Sequence, residues 1–400
     1  MTNFTYEGVN FEGKSVQGVI KAQDKNAAME LLIERNIYPK DIKKLAQKKS
    51  FYEKHIKKVS FKDIVIFSRE VAFIVNAGFP LLEWLGVVRN QVKNSKFKEI
   101  LDEIYLGIEK GGALSDEISK HKEFPEMYAS MIKSAETSGN LSNTLNVLAD
   151  YYDKQYKIKK KIASAMTYPI LVFGLAIVMI IFIITFIMPK MVANITDGGG
   201  TLPGITRVFI SISNVLINYG ILIVIMTAAI IYLVCQRVKD NRQILIKFHR
   251  FKTKIPIFGR LINMLIAARF SRTLGTLLIS GIGIIESLDL SARVVQNEYV
   301  ISKMEFVKAR VGEGESIGES IKTIDIFPQM LVESIVVGER GGNLDEVLTK
   351  TSVFYENDID VMTNQLSSIL QPIIIVFLGI MIAFIAIAMY MPLFTMYDSI

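Results

Sequence analysis

The letters with the most chemistry in them lie at the start of the chain. Gly8-Val9-Asn10-Phe11-Glu12-Gly13-Lys14-Ser15 matches the phosphate-loop pattern G-x-x-x-x-G-K-S. That chemistry needs a buried strand leading in and a helix starting at the lysine, so that the first helical amides meet the phosphates. Here only seven residues precede Gly8, and the segment after Ser15 (Val16-Gln17-Gly18-Val19-Ile20-Lys21-Ala22) alternates like a strand. No partner strand with an acidic end is evident to hold magnesium, so the segment reads as a hairpin turn. Other raw material for catalysis is thin. Three His and one Cys supply neither a thiol framework nor a zinc set. Cys235, at the end of an apolar run, is a small hydrophobe. The expectation is no enzyme, no cofactor, no metal and no nucleic acid among the partners.

Two carboxylates and one lysine cluster remain. Glu136 and Glu339 occupy matching turns, just before Gly139 and Gly342. Each could cap a neighbouring helix N-terminus, where a carboxylate meets unpaired amides. Each could instead touch a partner or hold a cation between subunits. Lys154, Lys157, Lys159, Lys160 and Lys161 crowd ahead of a long apolar run. Anchoring on the cytoplasmic side of a membrane accounts for them, with a partner contact as an addition.

These residues are positioned by a repeat. Residues 170–188 and 373–391 are apolar runs with no charge, each long enough for a bilayer core of about 30 Å. Both begin after a proline and end in Met-Pro, and a shift of 203 carries Met188 onto Met391. The same shift holds upstream without gaps. Phe67-Ser68-Arg69 lands on Phe270-Ser271-Arg272, Phe124-Pro125 on Phe327-Pro328, and Glu136 on Glu339. One register kept over more than 100 residues means two copies of one unit, a helical module followed by a membrane span.

The chain, half of whose 400 residues are hydrophobic and whose net charge is +7, divides accordingly. Residues 1–46 form a small β-β-α module and 47–60 a basic linker. Residues 61–168 and 264–371 form two all-α bundles of about six helices each. Transmembrane helices cover 169–190, 208–235 and 372–394, with an outer loop at 191–207 that carries Gly198-Gly199-Gly200. The helix that opens near Leu141 is expected to run on into the first span. The fold class is thus an all-α membrane protein with two repeated bundles, three spans and a small N-terminal module.

Positive charge sets the orientation. Lysines precede the first span, and Arg237, Lys239, Arg242, Lys247, Arg250, Lys252 and Lys254 follow the second. Both basic flanks face the cytoplasm, the middle span returns the chain inside, and both bundles are cytoplasmic. The N-terminus shows no signal-peptide pattern, and the C-terminus ends outside. The apolar runs of the three spans hold no Asp, Glu, Lys, Arg or His, which argues against a solute or ion pathway. Asn214 and Asn218 read as helix–helix contacts. A transporter with regulatory bundles is the alternative, and an ATP-hydrolysing enzyme built on Lys14 a weaker one.

The patterns Ala77-Gly78-Phe79-Pro80-Leu81, Gly338-Glu339-Arg340-Gly341-Gly342-Asn343-Leu344, Tyr168-Pro169 and Leu202-Pro203 with Thr206 together resemble the type II secretion F-type inner-membrane platform proteins, which include the type IV pilus platform protein. The resemblance covers nearly the whole chain. It departs where Ala135 replaces a glycine before Glu136, where Gly283 replaces a proline, and where Gln371 precedes Pro372 in place of Glu. The last change means that no carboxylate is required at that membrane boundary. The resemblance implies a non-catalytic platform for pilus or pseudopilus assembly. It also implies, as partners, a hexameric cytoplasmic ATPase, pilin or pseudopilin transmembrane helices, other inner-membrane assembly proteins and further copies of itself.

Overall fold

The computed structural model describes residues 2–10, 15–22, 24–34, 37–44, 58–190, 193 and 204–397. The phosphate-loop residues 11–14, most of the basic linker and most of the outer loop, including 198–200, lie outside them. The chain forms two units, 1–58 and 59–400.

In the first unit, β1 (Thr2–Asn10) pairs antiparallel with β2 (Ser15–Ala22) on one side and with β3 (Ile37–Lys44) on the other. Helix α1 (Lys25–Glu34) covers the sheet, burying Ala28 and Leu32 against Phe4, Ile20, Ala22 and Ile42. The β-β-α expectation is therefore extended by a third strand. Pro39 and four charged residues in Ile37–Lys44 mask it in the sequence, yet an edge strand tolerates a proline because one row of its amides faces away from the sheet. The register slips between Glu7 and Gly8, opposite Pro39. A side chain at Gly8 would meet the Tyr38 carbonyl at 2.6 Å, so this glycine serves the close approach of β3. Val9 pairs with Ser15, and the chain after Ser15 is strand, as a hairpin requires and a phosphate loop does not.

In the second unit the repeat is visible element by element. The first lobe contains α2 (Phe61–Asn76), α3 (Leu81–Gln91), α4 (Ser95–Glu109), α5 (Leu114–Ser119) and α6 (Glu126–Ser138), and ends in the long α7 (Leu141–Phe182). Helix α7 continues through a wider π turn over Ile183–Ile187, so that helix runs from Leu141 to Lys190. A span helix, α8 (Gly204–Asp240), and a basic helix, α9 (Arg242–Lys254), lead to the second lobe. There α10 (Phe258–Ile279), α11 (Ile284–Val294), α12 (Glu298–Gly312), α13 (Ile317–Lys322), α14 (Gln329–Gly341) and α15 (Leu344–Tyr397) follow. From α11 to α14 both ends of every helix sit 203 residues beyond their mates.

Local signals explain these boundaries. Ser60 and Asp63 form a reciprocal capping box at the start of α2. Asn94 and its mate Asn297 each accept two amides at the start of α4 and α12. Gly139 and Gly342 end α6 and α14 in the left-handed region, at φ 70° and 69°, where a side chain would cost about 1 kcal/mol or more. Gly283 stands where Pro80 stands in the first lobe, and the two hold nearly the same φ, −57° and −59°. The missing proline leaves the helix start unchanged.

Each lobe has its own core. In lobe 1, Phe67 meets Phe97 and Phe124 edge-on at 5.6 Å, beside buried Trp84 and Tyr128. In lobe 2, Phe270 packs on Phe327 at 4.6 Å. Among the described residues, four helices are long and apolar enough to cross a membrane. In one of them, Phe258–Ile279, 67% of the most apolar stretch is buried in the protein, against 11%, 0% and 6% for that of the other three. By the repeat it is the mate of α2, and it carries Arg260, Arg269 and Arg272. It is the central helix of lobe 2, which leaves three outward-facing apolar helices, as the sequence leads one to expect.

Candidate functional site

The matching carboxylates each cap a short helix within their own lobe. Glu136 accepts the Leu114 and Ser115 amides, at 2.7 and 3.3 Å, and the Ser115 hydroxyl. Glu339 accepts the Ile317 and Gly318 amides, at 2.7 and 2.9 Å, and the Ser316 hydroxyl. The supporting hydroxyl moves from the second helical position in lobe 1 to the cap position in lobe 2, and the carboxylate keeps its role. The space around it differs for the same reason. A side chain at Gly318 would press on Val336 at 2.5 Å, and one at Gly338 would reach the Leu344 backbone at 2.9 Å. Lobe 1 is looser there and holds Ala135 fully buried, which accounts for that departure from the family pattern.

Both oxygens of each carboxylate are thus occupied by donors of the same chain. Glu339→Gln replaces one acceptor with an N–H that faces other N–H groups. The expected result is a loss of about 1–2 kcal/mol of stability with the lobe still folded, read by denaturant unfolding of the purified protein. Glu136→Gln should behave alike, and an unchanged midpoint in both would contradict the capping role.

The five lysines do not form one patch. Lys154 pairs with Asp150 at 2.8 Å, Lys157 with Asp153 at 2.7 Å, and Lys161 with Asp360 of the second lobe at 2.8 Å. Lys159 lies 5.8 Å over the Phe61 ring. Lys160 is exposed. Helix α9 carries the second basic group and rests on α12, where Arg242 reaches Glu298 and Glu305, and unprotonated His249 Nδ1 accepts the Glu298 amide.

A pair of ion pairs was not anticipated. Arg272 holds Glu356 through two bonds, at 2.9 and 2.7 Å, linking α10 to α15. Its mate Arg69 pairs with Asp153, linking α2 to α7 in the same way. The signal was present in the repeated Phe-Ser-Arg triplet, but its acidic partners, Asp in one copy and Glu in the other, lie 84 residues downstream.

The two lobes meet along one seam. Leu277, Ile282 and Leu290 of lobe 2 join the core of lobe 1, and Ile158 of lobe 1 joins that of lobe 2. Tyr151 Oη shares a hydrogen with Thr273 Oγ1 at 2.9 Å, and the Ser134 hydroxyl donates to the Ser280 carbonyl at 2.8 Å. Burial pushes the Tyr151 phenol up to about 12, so it stays a neutral partner to Thr273. A cleft of about 580 Å³ lies on the seam. Its cations, Lys159, Arg269 and Arg293, are faced by Glu126 and Glu298, so it has no single sign of charge. Among the described residues no three His, Cys, Asp or Glu side chains gather to hold a metal.

Two like lobes, each continued by one helix into an apolar span, define a membrane-anchored helical repeat protein. Comparison with known proteins gives the particular family. The model of type II secretion system (T2SS) protein F matches twice, over residues 67–189 and 270–392, and the model of that protein's N-terminal domain matches 1–43. The two matches are themselves offset by 203. The type IV pilus assembly protein PilC of Thermus thermophilus is 33% identical over 400 residues, covering 98% of both chains. PilC of Myxococcus xanthus is 32% identical over 409 residues, 99% of this chain and 95% of its own. Type II secretion system protein F of Pseudomonas aeruginosa is 27% identical over 403 residues, 99% of both. The chain belongs to the type II secretion system protein F family. It is an inner-membrane platform protein of pilus or secretion machinery, and not an enzyme.

Proposed function

We propose that the protein couples a hexameric cytoplasmic assembly ATPase to the movement of pilin or pseudopilin subunits, with both lobes in the cytoplasm. One observation carries the reading. Helices α7 and α15 each start inside a lobe at matching leucines, Leu141 and Leu344, pass matching prolines, Pro169 and Pro372, and end in apolar spans. At 1.5 Å per residue these helices measure about 75–80 Å, far more than a bilayer needs. Such helices, unbroken from lobe to span, carry a displacement of a lobe into the membrane. The Arg272–Glu356 and Arg69–Asp153 pairs fasten the first helix of each lobe to its long helix, so a push on either is shared.

The basic flanks support the orientation. Lys154–Lys161 before the first span and α9 after the second would both lie against the cytoplasmic leaflet. The spans, with no Asp, Glu, Lys, Arg or His over 170–188, 208–235 and 373–391, offer apolar surface to the transmembrane helix of a pilin.

The test is direct. The detergent-purified protein, mixed with the assembly ATPase of its own system, should co-elute with it and should change its nucleotide turnover. Ion or solute flux by this protein alone in liposomes, with no binding of that ATPase, would overturn the reading in favour of a transporter.

A further inference from the structure

The seam between the lobes is not symmetric, and the repeat shows what that leaves open. Lobe 1 contributes one face, through Glu126, Ser134 and Tyr151. Lobe 2 contributes a different one, through Thr273, Ser280 and Arg293. Because the lobes are copies, each also carries the face that only the other one uses. Lobe 1 has an unused copy of the second face, and lobe 2 an unused copy of the first.

The unused faces keep their apolar character. Leu277, Ile282 and Leu290 are buried at 0–7% exposure in the seam; of their mates, Ile74 is half-buried against the lobe 1 core, while Phe79 and Val87 lie on the outside of lobe 1 at 50% and 44%. On lobe 2, the mates of Ser134, Tyr151 and Ile158 are Val337, Phe354 and Val361, exposed at 63%, 43% and 56%. Exposed apolar patches of this kind mark contact surfaces.

The partners also change together. The Ser134–Ser280 hydrogen bond of the seam becomes Val337 and Ala77, both apolar. The Arg293–Glu126 pair, 3.9 Å apart, becomes Asn90 and Gln329, both neutral amides. Lys161 and Asp360 become Asn364 and Lys157, a polar pair that keeps no like charges together. One pair is unlike: Phe354 and Glu70 stand for Tyr151 and Thr273, and that hydrogen bond is lost. Substitutions matched on two surfaces that do not touch within one chain are explained if the surfaces touch between chains.

We propose that a second copy of this chain docks its lobe 2 on the open face of lobe 1, repeating between chains the seam that joins the lobes within one. The contact is head-to-tail, so it propagates until it closes. Spans in a common membrane confine the rotation axis to the membrane normal, which favours a closed ring with an even number of lobes. The inference deepens the platform reading by naming a surface for self-assembly, and its test does not involve the ATPase.

The experiment uses the full chain in its membrane, with Cys235→Ser removing the native thiol. Ala77→Cys with Val337→Cys should give covalent dimers and larger species on oxidation, since the pair stands where Ser280 and Ser134 meet and a disulfide needs Cα atoms within about 7 Å. Ser134→Cys with Ser280→Cys should close within single chains and add no mass. If that control closes while the first pair stays monomeric, the proposal is overturned. Dimers from Val337→Cys alone would reveal a like-on-like contact and overturn it too. Separately, Phe79→Asp should reduce the mass in mild detergent to one chain at unchanged helix content. A mass that stays multimeric contradicts the proposed surface.

Discussion

Replacing Arg272 with alanine is expected to destabilise the protein by about 3–5 kcal/mol, because it strands Glu356 in the interior without a partner. The guanidinium side chain is 7% exposed and the carboxylate 16%, so neither can turn to water. The repeat supplies the control. Arg69 makes the equivalent pair with Asp153, but its side chain is 50% exposed, and Lys157 also holds Asp153. Arg69→Ala should therefore cost no more than about 1 kcal/mol. Thermal unfolding of the purified protein reads the contrast, with a midpoint drop on the order of 10 °C for Arg272→Ala and a small one for Arg69→Ala. The double variant Arg272→Met with Glu356→Leu should recover most of the loss, since apolar residues of similar volume can replace a buried pair at little cost. Equal effects at positions 69 and 272 would mean that burial does not govern the pair.

The second large effect concerns the long helix of lobe 1. Three glycines inserted between Ala165 and Met166, on a partly exposed stretch between lobe and span, should cut assembled fibre or secreted substrate at least tenfold. Each glycine weakens a helix interior by about 1 kcal/mol, so the insertion puts a joint where the helix is continuous. The lobes should remain folded and recruit the ATPase as before. Four alanines at the same place make about one helical turn and keep the helix whole, so activity should survive in larger part. Fibre output that tolerates both insertions equally would reduce α7 to a tether.

Much of this architecture is legible in the residues, because the repeat registers on landmarks that resist drift: Pro169 and Pro372, Gly139 and Gly342, Phe124-Pro125 and Phe327-Pro328. Each has a backbone reason to stay in place. Pro125, Pro328 and the left-handed glycines fix helix boundaries that side-chain chemistry alone leaves loose, while Pro169 and Pro372 sit inside the long helices. The spans were equally plain, since uncharged runs of about 20 residues have few other readings. Strand β3 was hidden because edge strands carry the charges and prolines that otherwise argue against a strand. Helix α10 shows the opposite trap, being apolar enough for a span yet packed inside lobe 2, and its mate α2 identifies it.

The site was legible in part. Matching turns predicted that Glu136 and Glu339 share a role, and the amides they accept specify capping. The ion pairs were not foreseen, because their acidic halves lie a whole lobe away and differ in type. Nor was the seam, since Ile282 and Leu290 look like ordinary core residues until their mates Phe79 and Val87 are seen on an open surface. A repeat discloses which residues correspond; the fold is needed to show which of them are covered.

The central claim is that both lobes hang from the same side of the membrane, carried by α7 and α15 of equal polarity. Thiol labelling of intact and opened cells tests it most directly, with Cys235→Ser as background and single cysteines at Lys110 in lobe 1 and at Glu313 in lobe 2, which are exposed neighbours of matching turns. The account predicts that an impermeant reagent modifies both positions only after the cells are opened. Labelling of position 313 in intact cells, with position 110 protected, would set the lobes on opposite faces and contradict it.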